Sequence, residues 1–149
     1  MKRTLLVFAG LLLLLTACDK ESDSDGISGR WKMTYKTIGS MGWWKEDVSE
    51  EGITWTFKGD MLEMKDASGA RKDLTAKYRL SNDTLWLWDF HMVGVDTDDE
   101  FIYPGGYLRD EYLREYGVCA NGTFWFHTHY TSSTLNLTNN DFARLEFSK

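Results

Sequence analysis

The chain has 149 residues, with 17 Lys and Arg against 23 Asp and Glu, a formal charge of −6. That length suits one domain, and the acidic balance excludes a nucleic-acid binder, which would show a basic face or stripe. With one proline and 22 aromatic side chains in the whole chain, the composition is that of a protein with a large apolar core.

Residues 1–17 have the three parts of a secretory signal: Lys2 and Arg3, the apolar stretch 5–15, and the small-residue end Thr16-Ala17. The apolar stretch is shorter than the ~20 residues a spanning helix needs. Leu15-Thr16-Ala17-Cys18 resembles the lipobox of bacterial lipoproteins. The resemblance implies cleavage before Cys18, lipidation of its sulfur and acylation of its new amino group. Two or more acyl chains give stable membrane anchoring where one does not. Removal of residues 1–17 takes two bases and no acid, leaving 15 bases against 23 acids, a formal −8. Attraction to anionic lipid heads is thereby excluded, so the membrane is a partner only through the lipid on Cys18. Cys119 then has no partner within the chain for a disulfide, and a buried, inert thiol is expected.

Residues 18–26 form the lipidated Cys and an acidic tether, which lacks the apolar surface to fold. Glu21, Asp23, Asp25 and Gly26 echo half a calcium loop, but its twelfth position is Lys32 rather than Glu. An acidic run after the Cys also resembles surface-export signals of some bacteria, whereas in others Asp19 directly after it marks inner-membrane retention. The expected location is the bacterial cell envelope, lipid-anchored, at the outer membrane facing the periplasm or the surface.

Residues 27–149 read as one all-β domain. Eight apolar, β-branched or aromatic runs cover residues 30–38, 52–58, 61–66, 72–80, 84–90, 123–131, 133–137 and 143–148. Breaks such as Lys58-Gly59-Asp60, Ser81-Asn82-Asp83 and Asn139-Asn140-Asp141 are too short for anything but antiparallel neighbours. Alternation gives an inner face of Trp31, Met33, Tyr35, Ile53, Trp55, Phe57, Leu62, Met64, Leu74, Tyr78, Leu80, Leu85, Leu87, Leu135, Leu137, Leu145 and Phe147. Lys32, Lys36, Thr54, Lys77 and Arg79 fall on the wet face. An eight-stranded antiparallel up-and-down barrel leaves no exposed edge and is the expected architecture.

Two stretches interrupt the meander. Residues 39–51 join the first two strands through Met41, Trp43 and Trp44. Residues 91–122 form an excursion between strands five and six, where Leu108, Tyr112 and Tyr116 at helical spacing, with Gly117 as a stop, predict a short helix. In strand five, Leu85 and Leu87 point inward, so Trp86, Trp88 and Phe90 point out, and that helix is expected to cover them.

Gly29-Arg30-Trp31 opening an eight-strand meander resembles the lipocalins and their wider superfamily, and is most similar to lipocalin-like domains of bacterial lipoproteins. The resemblance implies that Trp31, with Gly29, packs at the closed base and that Arg144 from the last strand lies across it. It also sets residues 39–51 over the open mouth. No long helix follows the last strand, as it does in lipocalins.

Catalytic readings have little to rest on. His127 and His129 share one face of a strand, and His91 with Asp89 or Asp96 would have to complete a zinc site; a polar pair on the wet face is the simpler account. Neither a Gly-x-Ser-x-Gly elbow nor a specific carboxylate pair occurs, and Asp96-Thr97-Asp98-Asp99-Glu100 reads as a solvated loop. The expectation is a non-enzymatic protein without metal or cofactor that binds a small apolar or amphipathic ligand through Trp43, Trp44, Trp55, Phe57 and Tyr78. The alternative is an envelope interaction module with a solid barrel, corked by the Trp43-Trp44 loop, whose outer aromatics bind a glycan or a protein.

Overall fold

The computed structural model describes residues 26–39, 45–95, 102–103, 107–119, 122–140 and 143–149. The signal segment, Cys18, nearly all of the tether, the loop residues Met41, Trp43 and Trp44, and the acidic run 96–100 lie outside the described residues.

In chain order the elements are β1 Gly29–Ile38, β2 Glu46–Asp47, β3 Ile53–Lys58, β4 Met61–Asp66, β5 Leu74–Ser81, β6 Thr84–Met92, β7 Ile102–Tyr103, β8 Tyr107–Leu108, α1 Asp110–Glu115, β9 Phe124–Tyr130, β10 Thr134–Asn139 and β11 Ala143–Ser148. Eight of them (β1, β3, β4, β5, β6, β9, β10 and β11) follow one another as antiparallel neighbours, and β11 returns to pair with β1. The sheet is therefore a closed eight-stranded up-and-down barrel. The tiny β2 adds to β1, and β7 and β8 form a separate hairpin.

An up-and-down barrel sorts its connections to alternate ends. The tight turns after β3, β5 and β9 lie at the end where β1 begins; we term this the base. The connections after β1, β4, β6 and β10 lie at the other end, the mouth. Asn82 and Asp83 take the turn after β5 with positive φ, 49° and 57°, a conformation their short polar side chains tolerate.

The inner face follows the alternation nearly throughout: Trp31, Met33, Ile53, Trp55, Phe57, Leu62, Met64, Leu74, Tyr78, Leu80, Leu85, Leu87, Leu135, Leu137, Leu145 and Phe147 are all buried in one core cluster. Two bulges break the phase. In β6, Lys77↔Trp88 and Thr75↔His91 leave one extra residue on the β6 side, and Asp89 absorbs it with φ of 57°. Beyond it the pleat is re-phased, so Phe90 and Met92 turn into the core while Asp89 stands outside, ion-paired to Lys77 at 3.1 Å. The expectation that Phe90 points out with Trp86 and Trp88 is thus corrected.

In β1, Met33↔Phe147 and Tyr35↔Glu146 place a second bulge around Thr34. Tyr35 leaves the inner face for the side of Glu146, with the Lys45 ammonium 3.9 Å from its ring centre. Lys36 comes in its place, opposite Leu145, with only 12% of its side chain exposed and Glu46 at 3.5 Å.

Candidate functional site: the barrel interior and its two ends

The base is closed by residues next to the strands they cover. Ile27, just before β1, is fully buried, and the Trp31 indole N–H donates to its carbonyl at 2.7 Å. Gly26 lies so close to the Tyr130 ring that any Cβ there would overlap it, 2.3 Å from the hydroxyl oxygen. Lys149 holds its ammonium 4.3 Å from the centre of the Trp31 ring, a cation–π contact. This is the cation expected at Arg144. The alternation explains the difference: Arg144 sits between inward Ala143 and Leu145, so it points out, where its 64% exposed side chain pairs with Glu146 at 3.4 Å. The order of strands predicted a base cation, but Lys149, one residue past β11, is the one that reaches it.

The mouth is closed by the long excursion. α1 has Asp110 and Glu111 in its first turn and Arg114 in its last, charges that suit the helix dipole. Its end is a Schellman turn: Val118 N–H donates to Leu113 O and Gly117 N–H to Arg114 O, both at 3.0 Å. Gly117 takes φ of 92°, and a Cβ there would come within 2.4 Å of the Leu145 side chain. Leu145 is an inner-face residue, so the turn packs down onto the barrel rim. Leu108, Leu113, Tyr116 and Val118 all join the core cluster, and Tyr116 donates its hydroxyl proton to Lys72 O at 3.1 Å. Burial raises the pKa of that hydroxyl. The excursion therefore crowns the mouth. It does not cover the outer wall as the sequence led us to expect, and Trp86 there remains 39% exposed.

A charged cluster ties the mouth connections together. Arg71, between β4 and β5, hydrogen-bonds Asp66 at 3.1 Å, makes a short hydrogen bond to Glu51 from the connection after β1, and lies 3.8 Å from Glu115 of α1. The Asp66 side chain is wholly buried. Burial alone would raise its pKa, but hydrogen bonds from Ser68 and Arg71 outweigh it and hold the carboxyl below its ordinary value.

Between the two ends the interior is aromatic. Trp55 lies 5.2 Å from Phe147 and 6.2 Å from Phe126 between ring centres, and Phe57 lies 4.9 Å from Tyr78. Trp55, Phe57 and Tyr78, three of the five aromatics expected at a ligand site, are thus brought together inside the barrel; Trp43 and Trp44 lie outside the described residues. Two interior polar atoms that alternation did not single out are buried without a protein partner among the described residues, Trp55 Nε1 and Thr128 Oγ1. Thr128 follows Phe124 and Phe126 inward along β9, and that period-two signal was available in the sequence.

The histidines lie outside the barrel interior. His127 and His129 are exposed on the outside of β9, while His91 meets Asp89 at 3.0 Å on β6. Among the described residues no three His, Cys, Asp or Glu are placed to hold a metal ion. Cys119 is half-buried, and burial raises its thiol pKa.

The family of lipocalin-like domains matches residues 13–149. The chain belongs to that family. A lipocalin-like protein from Bacteroides uniformis shares the architecture at a TM-score of 0.58 and 14% identity, over 83% of this chain and 98% of that one. An uncharacterized protein from Bacteroides eggerthii aligns at a TM-score of 0.47 and 15% identity, over 82% and 98% of the two chains. No curated protein matches. Lipocalin-like barrels are in general binding folds rather than catalytic ones, and an eight-stranded barrel encloses a space that side chains fill or one small ligand occupies.

Proposed function

We propose that this lipocalin-like domain is a membrane-tethered, non-catalytic carrier that holds one small apolar or amphipathic molecule inside the barrel, at the cell envelope. The carrying observation is an apolar, aromatic interior closed at the mouth by a segment that packs on it through Leu108, Leu113, Tyr116 and Val118 and is pinned by Arg71, without being part of the barrel sheet. Such an end can open without breaking the sheet. We assign the outer wall of the site to Trp43 and Trp44 on the sequence alone, as residues of the connection that leads to Val48, which is fully buried. Tethering rests on Leu15-Thr16-Ala17-Cys18; among the described residues no helix is long and apolar enough to cross a membrane.

Full-length protein tests both parts. Cys18→Ser should abolish detergent-phase partitioning of the mature chain; retention of that partitioning sinks the tether. A neutral lipophilic fluorophore should bind at micromolar strength and quench Trp emission. Trp43→Ala/Trp44→Ala should weaken that binding by about 1–2 kcal/mol, the order of the lost apolar contact, with the melt largely kept. Absence of binding together with a collapsed melt in the double variant would make the loop a cork. One observation favours the second reading, a solid module that binds a glycan or protein: Trp86 is exposed directly opposite Trp125 on the outer wall.

A further inference from the structure

Trp31 and Trp55 are cross-strand neighbours at one level of the barrel, both fully buried. The Trp31 N–H is satisfied by Ile27 O; the Trp55 N–H has no partner among the described residues. A buried donor left unpaired is a sizeable penalty, and native interiors keep few of them. Thr128 Oγ1 is in the same condition, 9% exposed, its residue tied to the base turn by Thr128 N–H donating to Asp83 O at 2.8 Å. Both orphans therefore lie toward the base, on inward-facing positions, and Trp55 and Phe126, the inward residue before Thr128, are in ring contact.

The charges of the interior are as informative. Among the described residues Asp66 is the one buried ionisable carboxyl or base, and it is engaged at the mouth by Ser68 and Arg71. Lys36 at the mouth is paired with Glu46. At the base the Lys149 ammonium is exposed and already engaged over the Trp31 ring, so it offers little offset to a carboxylate taken out of water there, and an uncompensated buried charge is prohibitive.

We infer that the ligand is electrically neutral and presents one oxygen, of a hydroxyl, carbonyl or ether, to Trp55 Nε1–H and the Thr128 hydroxyl, entering polar end first with its apolar part toward α1. This rests on the proposed binding function and specifies its ligand class. An oxygen accepts from the indole N–H, and Thr128 can donate to it or accept from it, so no proton is transferred and no counter-ion is needed.

The test is competition for the barrel by octanol, octanoate and octylammonium against N-phenylnaphthylamine, a neutral fluorophore with no strong acceptor. Octanol should displace it at least about a hundredfold more tightly than either ion, given the penalty for an unpaired buried charge. Thr128→Val, which keeps the shape and removes the hydroxyl, and Trp55→Phe, which removes the N–H, should each weaken octanol about fivefold, the worth of one neutral hydrogen bond. The readout is the ratio of octanol to fluorophore affinity, which each variant should lower and which a loss of packing shared by both ligands would leave unmoved. Equal or tighter binding of octanoate, or an octanol affinity untouched by Thr128→Val, would overturn the inference while leaving ligand binding intact. Absence of fluorophore binding to the wild-type chain would instead remove the proposed function itself. Should Trp55→Phe fail to fold, Thr128→Val alone decides.

Discussion

The base of the barrel is sealed by the two chain segments that flank its first and last strands: Ile27 beneath Trp31, just before β1, and Lys149 over the same ring, one residue beyond β11. The mouth is sealed by residues brought from far away: Val48, Arg71, and the segment from Leu108 to Val118. The base uses apolar burial, one hydrogen bond and a cation–π contact. The mouth adds carboxylates from the chain after β1, from β4 and from α1, all gathered on one guanidinium. Glu115 in that cluster is 47% exposed and Glu51 30%, so water competes for these contacts as it does not around Trp31. If the proposed ligand enters the barrel, the partly wet end is the one expected to admit it.

That contrast can be broken most sharply at the base. Trp31→Ala should lower stability by about 3–5 kcal/mol, as truncation of a buried Trp does, read as a shift in the urea midpoint. Since a domain has roughly 5–15 kcal/mol in total, the variant should be unfolded or nearly so. An unchanged midpoint would mean that the base does not hold the fold.

At the mouth, Arg71→Met should cost about 3 kcal/mol near neutral pH, because it strands the buried Asp66 carboxylate. The effect should be pH-dependent with a definite sign. The folded pKa of Asp66 lies below its unfolded value of about 3.9. Its contribution is therefore complete above about pH 4 and is lost as pH falls through the folded value. The gap between wild type and Arg71→Met should narrow over that acid range; a gap that stays constant would show that Asp66 is not the group being stranded.

The smallest effect sharpens the assignment of the base cation. Lys149→Met should cost about 0.5–1 kcal/mol, the value of an exposed cation–π contact. Arg144→Met, on an outward side chain, should stay within about 0.5 kcal/mol of wild type. Thermal melts of the pair decide it, and the reverse order would restore Arg144 to the base.

Much of the fold was legible from alternation and turn chemistry. Period-two patterning named sixteen of the buried inner-face residues, because inward and outward positions alternate rigidly along a strand and one side must avoid water. The short Gly, Asn and Asp breaks forced antiparallel neighbours. The helix in the excursion and its Gly117 stop were legible from 3.6-residue spacing, and Trp55, Phe57 and Tyr78 were legible as interior aromatics.

What alternation missed is where one extra residue enters a strand. Asp89 and the bulge near Thr34 shift the phase, so Phe90 moves in, Tyr35 moves out and Lys36 takes the inner side. An acid inside an apolar strand was the available signal at Asp89, since Asp tolerates positive φ. Thr34 offered none.

The sequence by itself determined the count of barrel strands, their antiparallel order and which side chains seek the core, since these depend on local spacing and on the aversion of apolar groups to water. Only the tertiary structure decided that β11 meets β1, that Lys149 rather than Arg144 covers Trp31, and that α1 crowns the mouth instead of the outer wall. It also decided that Trp31 finds a carbonyl while Trp55 finds none. The first three of these turn on residues distant in sequence arriving at one place. Spacing along a chain carries no record of such encounters; they are settled when barrel closure fixes the two ends and the packing at each end selects what fits.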